Sequence, residues 1–148
     1  MILLDAYAVI AYLTAEPNVG EQVRPLLVGA AITSVNRAEV LDHLVRVRGV
    51  DSPQAVLDLV ELDLGSIVVD DAIAVRAGLL RAKHYHGKCR AVSMADCIAA
   101  ATVLNEVHDV TALATSDPAL LDMLHEEGGG VLRLPQSDGS LWTPTTVR

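Results

Sequence analysis

Met1-Ile2-Leu3-Leu4-Asp5 is the stretch that decides the fold, because its apolar residues predict a short, fully buried strand and Asp5 marks where that strand ends. The alanine-rich segment from Tyr7 to Leu13 predicts a helix that packs back onto this strand. Asp5 lies at the junction of the two elements. In an open parallel sheet, ligands bind outside the carboxyl ends of the strands, at such junctions. We therefore expect Asp5 to belong to a site at that edge.

Strand and helix signals alternate along the rest of the chain, in the order β-α-α-β-α-α-β-α-α-β-α-β. Strands are predicted over residues 2–4, 31–33, 66–69, 110–114 and 131–134, and helices over residues 7–13, 21–27, 35–48, 53–62, 71–85, 97–104 and 119–124. Parallel strands joined by right-handed helical crossovers form an α/β fold of three layers, α/β/α. We expect a central, mainly parallel sheet of four to five strands with the first strand in its middle.

Length and composition favour a single domain over residues 1–148, in which residues 135–148 form a polar, irregular tail. Hydrophobic residues make up 51% of the chain but aromatic residues only 3%, so the core has to be built from Ala, Val, Leu and Ile. Such a core suits helices that pack closely over a parallel sheet.

Two helices carry apolar residues at helical spacing, so each predicts a buried face. The helix over residues 35–48 would follow a cap at Ser34 and turn Glu39 inward. The predicted buried residues are Val35, Ala38, Leu41 and Val45 in that helix, and Val56, Leu57 and Val60 in the next one.

Hydropathy, cysteine content and net charge disfavour several classes of protein. The longest stretch without charge, Pro25 to Asn36, has 12 residues, well short of the ~20 that cross a membrane, so no membrane association is expected. No secretory leader precedes Asp5, and two cysteines give no disulfide framework, which together predict a cytoplasmic location. The net charge of -8 argues against strong nonspecific binding to nucleic acid.

One segment departs from this acidic balance. Five of the eleven Lys and Arg residues lie between Arg76 and Arg90, and they form either a local basic patch or an ordinary solvated surface. The string His84-x-His86-x-x-Cys89 within it also admits a soft-metal site. Structural zinc normally takes four ligands, however, and a second pair at motif spacing is missing.

Three further carboxylates, Glu39, Asp96 and Asp117, occupy positions comparable to that of Asp5. Each follows a predicted buried strand or begins a helix that packs on one, so all would gather at the same edge of the sheet. Ser93 and Asp96 also form a capping-box pattern, and a cap role alone would account for Asp96 and for Asp117. Four acids in one pocket would repel each other unless divalent cations offset their charge, which points to a metal site.

The order and spacing of these motifs resemble the PIN-domain family and, within it, the VapC-type toxins of bacterial toxin-antitoxin pairs. The similar segments run through nearly the whole chain: Ile2-Leu3-Leu4-Asp5-Ala6, Thr33-Ser34-Val35-Asn36-Arg37-Ala38-Glu39-Val40-Leu41, Ala95-Asp96-Cys97-Ile98-Ala99-Ala100-Ala101 and Ala114-Thr115-Ser116-Asp117. One departure is Tyr7, which stands where the family commonly has a small polar residue. Its ring is expected to shape the mouth of the pocket.

The resemblance implies a PIN-like fold and an endoribonuclease that depends on Mg²⁺ or Mn²⁺, acts on an RNA substrate, is inhibited by a cognate VapB-type antitoxin and forms a homodimer. In the family, the acids that match Asp5, Glu39, Asp96 and Asp117 bind the metal and carry the catalysis. Carboxylate oxygens suit these ions, which activate water for attack on a phosphodiester. The expected supporting residues are Thr115 and Ser116, and the expected contacts to RNA phosphates are Lys83, Lys88 and Arg90.

Two other functions remain open on the sequence. A receiver-like regulatory domain also gathers acids around magnesium at this edge of a parallel sheet, but it needs a Lys after a late strand, and neither Lys83 nor Lys88 follows one. A PIN-like binding module with a vestigial site would keep the fold without the activity.

Overall fold

The sheet consists of five short strands: β1 (Ile2–Leu4), β2 (Ala31–Thr33), β3 (Gly65–Ile67), β4 (Ala112–Thr115) and β5 (Val131–Arg133). They lie in the order β3-β2-β1-β4-β5 and all run parallel in the computed structural model, which describes residues 1–144 apart from the side chain of Val107. Leu3 of β1 pairs with Ala31 on one side and with Leu113 on the other. The prediction of an α/β fold with its first strand in the middle is confirmed.

Helices follow the strands in the predicted order. They are α1 (Ala6–Leu13), α2 (Gly20–Val23), α3 (Ser34–Asp42), α4 (Ser52–Val60), α5 (Asp71–His84), α6 (Met94–Leu104) and α7 (Pro118–Glu127). Short 3₁₀ turns cover Arg24–Leu26 and Glu106–His108, and a π-helix, His43–Val47, continues α3. Within residues 1–144, no helix is long and apolar enough to cross a membrane.

The three central strands, β1, β2 and β4, are buried on both faces, and their successive residues point to opposite sides of the sheet. Leu3 belongs to a core that it shares with α5, α6 and α7, whereas Leu4 belongs to a core shared with α1, α3 and α4. In α6, the fully buried run Ala99–Ala101 keeps the side chains small between helix and sheet. Small residues of this kind allow close packing in a chain that contains no Phe.

The buried face of α3 is not the predicted one. Asn36 and Val40 are buried, and Leu44 follows them in the π-helix. The residues that were predicted to face inward are half-buried or exposed: Val35, Ala38, Glu39, Leu41 and Val45. The apolar spacing misled because a polar residue, Asn36, occupies one of the buried positions.

The prediction of the buried face of α4 is also wrong. Ala55 and Leu59 are buried there, whereas the predicted stripe is exposed: Val56, Leu57 and Val60. The spacing of the large apolar residues gave no weight to Ala55, although a small side chain is what permits α4 to pack closely against its neighbours.

The segment after β5 contains no helix or strand up to residue 144, as predicted, and residues 145–148 of the predicted tail lie outside the described residues. This segment is nevertheless anchored to the fold. Trp142 is buried and its ring N–H donates to Asp122 at 2.8 Å. The side-chain amide of Asn18 donates to the carbonyl of Ser137 at 3.1 Å. The anchored segment therefore has a fixed place beside the carboxyl edge of the sheet.

Candidate functional site

A cavity of about 610 Å³ lies at the carboxyl edge of the sheet, and all four predicted acids line it: Asp5, Glu39, Asp96 and Asp117. The strand order reverses between β1 and β4. Asp5 directly follows β1, and Asp117 lies two residues beyond β4. The cavity therefore occupies the switch point at which open parallel sheets bind their ligands.

Asp5 is the most buried of the four acids, with 5% of its surface exposed. It caps α1: its Oδ1 accepts a hydrogen bond from the amide of Ala8 at 2.7 Å, and its Oδ2 accepts one from the hydroxyl of Thr115. Burial raises the pKa of Asp5 to about 7, and the charges of Asp96 and Asp117 act in the same direction against these two hydrogen bonds. A cation beside Asp5 would reverse this shift.

Asp96 both caps a helix and lines the cavity. The predicted capping box is present: Ser93 Oγ accepts from the amide of Asp96 at 3.0 Å, and Asp96 Oδ2 accepts from the amide of Ser93 at 3.2 Å. Burial raises the pKa of Asp96, and the charge of Asp117 raises it further. The cap fixes Asp96 at the first turn of α6 without removing its carboxylate from the cavity.

Asp117 caps α7, with its Oδ1 accepting from the amide of Ala119 at 3.0 Å. Thr115 links this residue to Asp5, because its hydroxyl donates to the Asp5 carboxylate and accepts from the amide of Asp117 at 3.1 Å. Ser116 lies between them and lines the cavity. Of the two residues predicted to give support, Thr115 is thus the one bonded to an acid.

Glu39 reaches the cavity from an exposed position on α3 rather than from the buried face. Thr33, and not the predicted Ser34, caps this helix. The hydroxyl of Thr33 donates to Asn36 Oδ1 at 3.1 Å, and Asn36 Nδ2 donates to Glu39 Oε2 at 2.7 Å. Asn36 thereby orients Glu39. Sequence reasoning gave it no role, although its position three residues before Glu39 on a helix places the two side chains side by side.

Three further parts of the chain contribute lining residues. Tyr7 lines the cavity as expected, and its hydroxyl donates to Glu16. Burial raises the pKa of Tyr7 to about 12, with the bond to Glu16 acting in the same direction. Gln136 and Ser137 contribute from the segment after β5, which the sequence predicted only as an irregular tail. The other contributors follow Glu39 along α3 and the π-helix: Asp42, His43 and Arg46.

The predicted basic residues are not at the cavity. Lys83 pairs with Glu127 at 2.8 Å, and Arg90 pairs with Glu126 at 2.7 Å. Lys88 lies in the loop between α5 and α6 and is not among the cavity residues. None of these three residues is among those that line the cavity, and whether they contact RNA stays a prediction.

The side chains that line this cavity fit one class of metal ion. Four carboxylates offer only oxygen ligands, which suit Mg²⁺ and Mn²⁺. In the described part of the chain, no three Asp, Glu, His or Cys side chains stand close enough to hold an ion without moving. The cap bonds use one oxygen each of Asp96 and Asp117, so both keep a second oxygen for another partner. The alternative soft-metal site at His84, His86 and Cys89 is disfavoured, because His84 Nε2 is already bonded to Glu127 at 2.6 Å.

A family model described as PIN domain matches residues 2–123, a range that contains the four predicted acids Asp5, Glu39, Asp96 and Asp117. Among curated proteins, no sequence matches the chain.

Solved structures with the same fold include three bacterial complexes. VapBC2 from Rickettsia felis, bound to a DNA fragment from its promoter, superposes with a TM-score of 0.64 at 17% identity, covering 89% of this chain and 98% of that one. A toxin-antitoxin complex from Klebsiella pneumoniae gives 0.60 at 18%, covering 79% and 87%. FitAcB from Neisseria gonorrhoeae gives 0.58 at 21%, covering 88% and 96%. At sequence identities this low, the superpositions establish that the fold is shared and nothing more.

Proposed function

Because this chain belongs to the PIN domain family, we propose that it is a VapC-type toxin, an endoribonuclease that a cognate antitoxin neutralises. The observation that carries the proposal is the convergence of Asp5, Glu39, Asp96 and Asp117 on one cavity at the switch point of the sheet. The likeness to a toxin-antitoxin complex and to VapBC2 supports the assignment within the family. The reaction is hydrolysis of an RNA phosphodiester bond.

The proposed cofactor is Mg²⁺ or Mn²⁺, held by Asp5, Asp96 and Asp117 with help from Glu39. Such an ion supplies positive charge that acidifies a water and offsets the charge that develops on the phosphate oxygens. The raised pKa values of Asp5 and Asp96 support this proposal, since they reflect carboxylates that burial and mutual repulsion leave uncompensated.

The chain's own residues divide the remaining tasks. Asp5 has both oxygens held, by Ala8 and Thr115, and therefore provides the most rigid ligand. Glu39 is more exposed and is oriented through Asn36, which suits it to accept a proton from the attacking water or to position that water. Asp117 completes the set of ligands next to Asp5.

The proposed partners are an RNA substrate, a VapB-type antitoxin and a second copy of the chain. Co-expression with the product of a short gene adjacent to this one would test the antitoxin: we expect a stable complex without ribonuclease activity. Light scattering of the purified chain would test the homodimer, and a strictly monomeric mass would remove it from the proposal.

The decisive experiment incubates the purified chain with total RNA in the presence of Mn²⁺, Mg²⁺ or EDTA. Cleavage that requires a metal and is absent in Asp5→Asn supports the proposal, and sequencing of the cleaved ends identifies the RNA. Equal cleavage by Asp5→Asn would contradict it. Titration calorimetry with Mn²⁺, combined with the cleavage assay, separates an active site from a vestigial one, because a vestigial module binds no metal or binds it without cleaving RNA.

A further inference from the structure

The acidic side chains of the cavity repel RNA, the substrate of the proposed function. Five carboxylates line it, because Asp42 joins the four acids already described. An RNA strand carries one negative charge per phosphate, so its approach to these acids is unfavourable unless a cation also meets it. Among the described residues that line the cavity, Arg46 is the only lysine or arginine.

Arg46 lines the cavity from the π-helix that continues α3. Glu39, Asp42, His43 and Arg46 follow one another at intervals that place them on one side of a helix, and all four line the cavity. The last two lie in the π-helix, whose wider turns are closed by bonds such as that from the amide of Arg48 to the carbonyl of His43 at 3.1 Å. Short π segments of this kind occur frequently at functional sites.

The contact between Arg46 and Asp42 leaves part of the guanidinium free to bind a second anion. Nε of Arg46 donates to Asp42 Oδ1 at 3.0 Å, and Nη2 donates to Oδ2 at 2.8 Å. A guanidinium has five N–H donors, and this contact engages one edge of the fork. The Nη1 side keeps its donors for a further acceptor, and the Arg46 side chain is 69% exposed.

We propose that Arg46 binds a backbone phosphate of the RNA strand that enters the cavity, and that Asp42 holds the guanidinium in position for it. This inference rests on the proposed function and names a substrate contact within it. Arg46 is then a substrate-binding residue and Asp42 a positioning residue. The planar fork favours arginine over lysine at such a place, since it binds phosphate through paired hydrogen bonds.

The test measures RNA binding separately from cleavage. The probe is a labelled single-stranded RNA oligonucleotide of mixed sequence, and binding is measured over a range of salt concentrations in an Asp5→Asn background that does not cleave it. Arg46→Ala should weaken binding about tenfold, as expected for loss of hydrogen bonds from a charged group, and should lower the salt slope by about 0.7. Arg46→Lys should keep the slope and recover part of the affinity.

The matched control is Arg24→Ala. Arg24 is also an exposed helical arginine, paired with Glu21 at 3.4 Å, but it lies outside the cavity. We expect its removal to leave affinity and slope unchanged. Measured in the protein that retains Asp5 and cleaves RNA, Asp42→Asn should raise KM and leave kcat unchanged, because it loosens the guanidinium without removing its charge.

The outcomes separate the two proposals. If the wild-type chain cleaves RNA and Arg46→Ala binds it with the wild-type affinity and salt slope, the phosphate contact is overturned and the proposed function stands. If the wild-type chain neither binds nor cleaves RNA, both are overturned. Thermal melting of each variant excludes loss of folding, which we do not expect at so exposed a side chain.

Discussion

Two groups of carboxylates lie at opposite ends of α7 and meet opposite surroundings. At its N-terminal end, Asp117 shares the cavity with Asp5, Asp96 and Glu39, and none of these four pairs with a lysine, arginine or histidine of the described chain. At its C-terminal end, Glu126 and Glu127 lie where the helix dipole disfavours negative charge. Cations of the same chain compensate that second group.

The second group draws its cations from α5 and from the loop that follows it. Arg90 bonds both oxygens of Glu126, at 2.7 and 3.1 Å. Lys83 and the buried His84 both bond Glu127. These bonds lower the pKa of both glutamates, with Arg90 the main cause for Glu126 and Lys83 for Glu127.

The direction of the pKa shift distinguishes acids that the chain itself compensates from acids that lack a compensating cation. Burial and mutual repulsion raise the pKa of Asp5 and of Asp96, whereas ion pairs lower the pKa of Glu126 and Glu127. In the first group, ionisation of the carboxylates is unfavourable, and a bound cation would make it favourable. In the second group, side chains of the same protein already pair with Glu126 and Glu127, so these ion pairs contribute to the stability of the fold.

The largest effect is expected from Asp5→Asn. Loss of this ligand should lower metal-dependent RNA cleavage by about 10³-fold, since charge stabilisation by a bound metal contributes several kcal/mol to the barrier. The fold should persist, because the amide can still accept the hydrogen bond from Ala8. Single-turnover cleavage assays and circular dichroism measure the two effects. In the control, Glu126→Gln, activity should stay at the wild-type level, and equal losses in both variants would break the distinction.

The dependence of stability on pH should follow the pKa shift of Asp5. The pKa rises from 3.8 in the unfolded chain to about 7 in the fold. The folded state therefore binds more protons between these values, and stability falls as pH rises through this window. Urea unfolding in EDTA should give a lower midpoint at pH 8 than at pH 5. Asp5→Asn should reduce this difference, and Asp96, whose pKa burial also raises, should account for the remainder. Persistence of the full pH dependence in that variant would show that another group causes it.

Loss of the hydrogen bond by which Asn36 orients Glu39 should lower kcat and leave KM unchanged. Asn36→Ala removes the hydrogen bond to Glu39 Oε2 and should lower kcat about tenfold, as expected for a bond to a charged group. A double-mutant cycle with Glu39→Gln is the check, because two residues that act through one bond give non-additive losses. Additive losses would mean that Asn36 supports the fold of α3 and has no part in orienting Glu39.

The fold and the four acids could be predicted because each depends on local sequence. Short apolar runs define the strands. Asp5 directly follows one of them, and Asp117 lies two residues beyond another. The capping box of Asp96 is a pattern of four adjacent residues, and it is present. Since the carboxyl ends of parallel strands share one edge, local signals were sufficient to bring these acids together.

What the sequence could not reveal depends on contacts between distant residues or on buried polar groups. Arg90 is 36 residues from Glu126, and nothing near Arg90 in the sequence indicates that partner. The basic segment was therefore open to interpretation as a patch at the site. Asn36 is polar, so a search for apolar spacing missed both its burial and the bond that it donates to Glu39.

The smallest predicted effect concerns the compensated group. Arg90→Ala removes both bonds to Glu126 and should lower the free energy of unfolding by about 1 kcal/mol, a value kept small because Glu126 is partly exposed and solvent screens the pair. Lys83→Ala, at a more exposed side chain, should cost less. Urea unfolding measures both, and RNA cleavage at saturating substrate should be unchanged in each. A large loss of cleavage in Arg90→Ala without loss of stability would return this residue to the RNA-binding role that the sequence suggested.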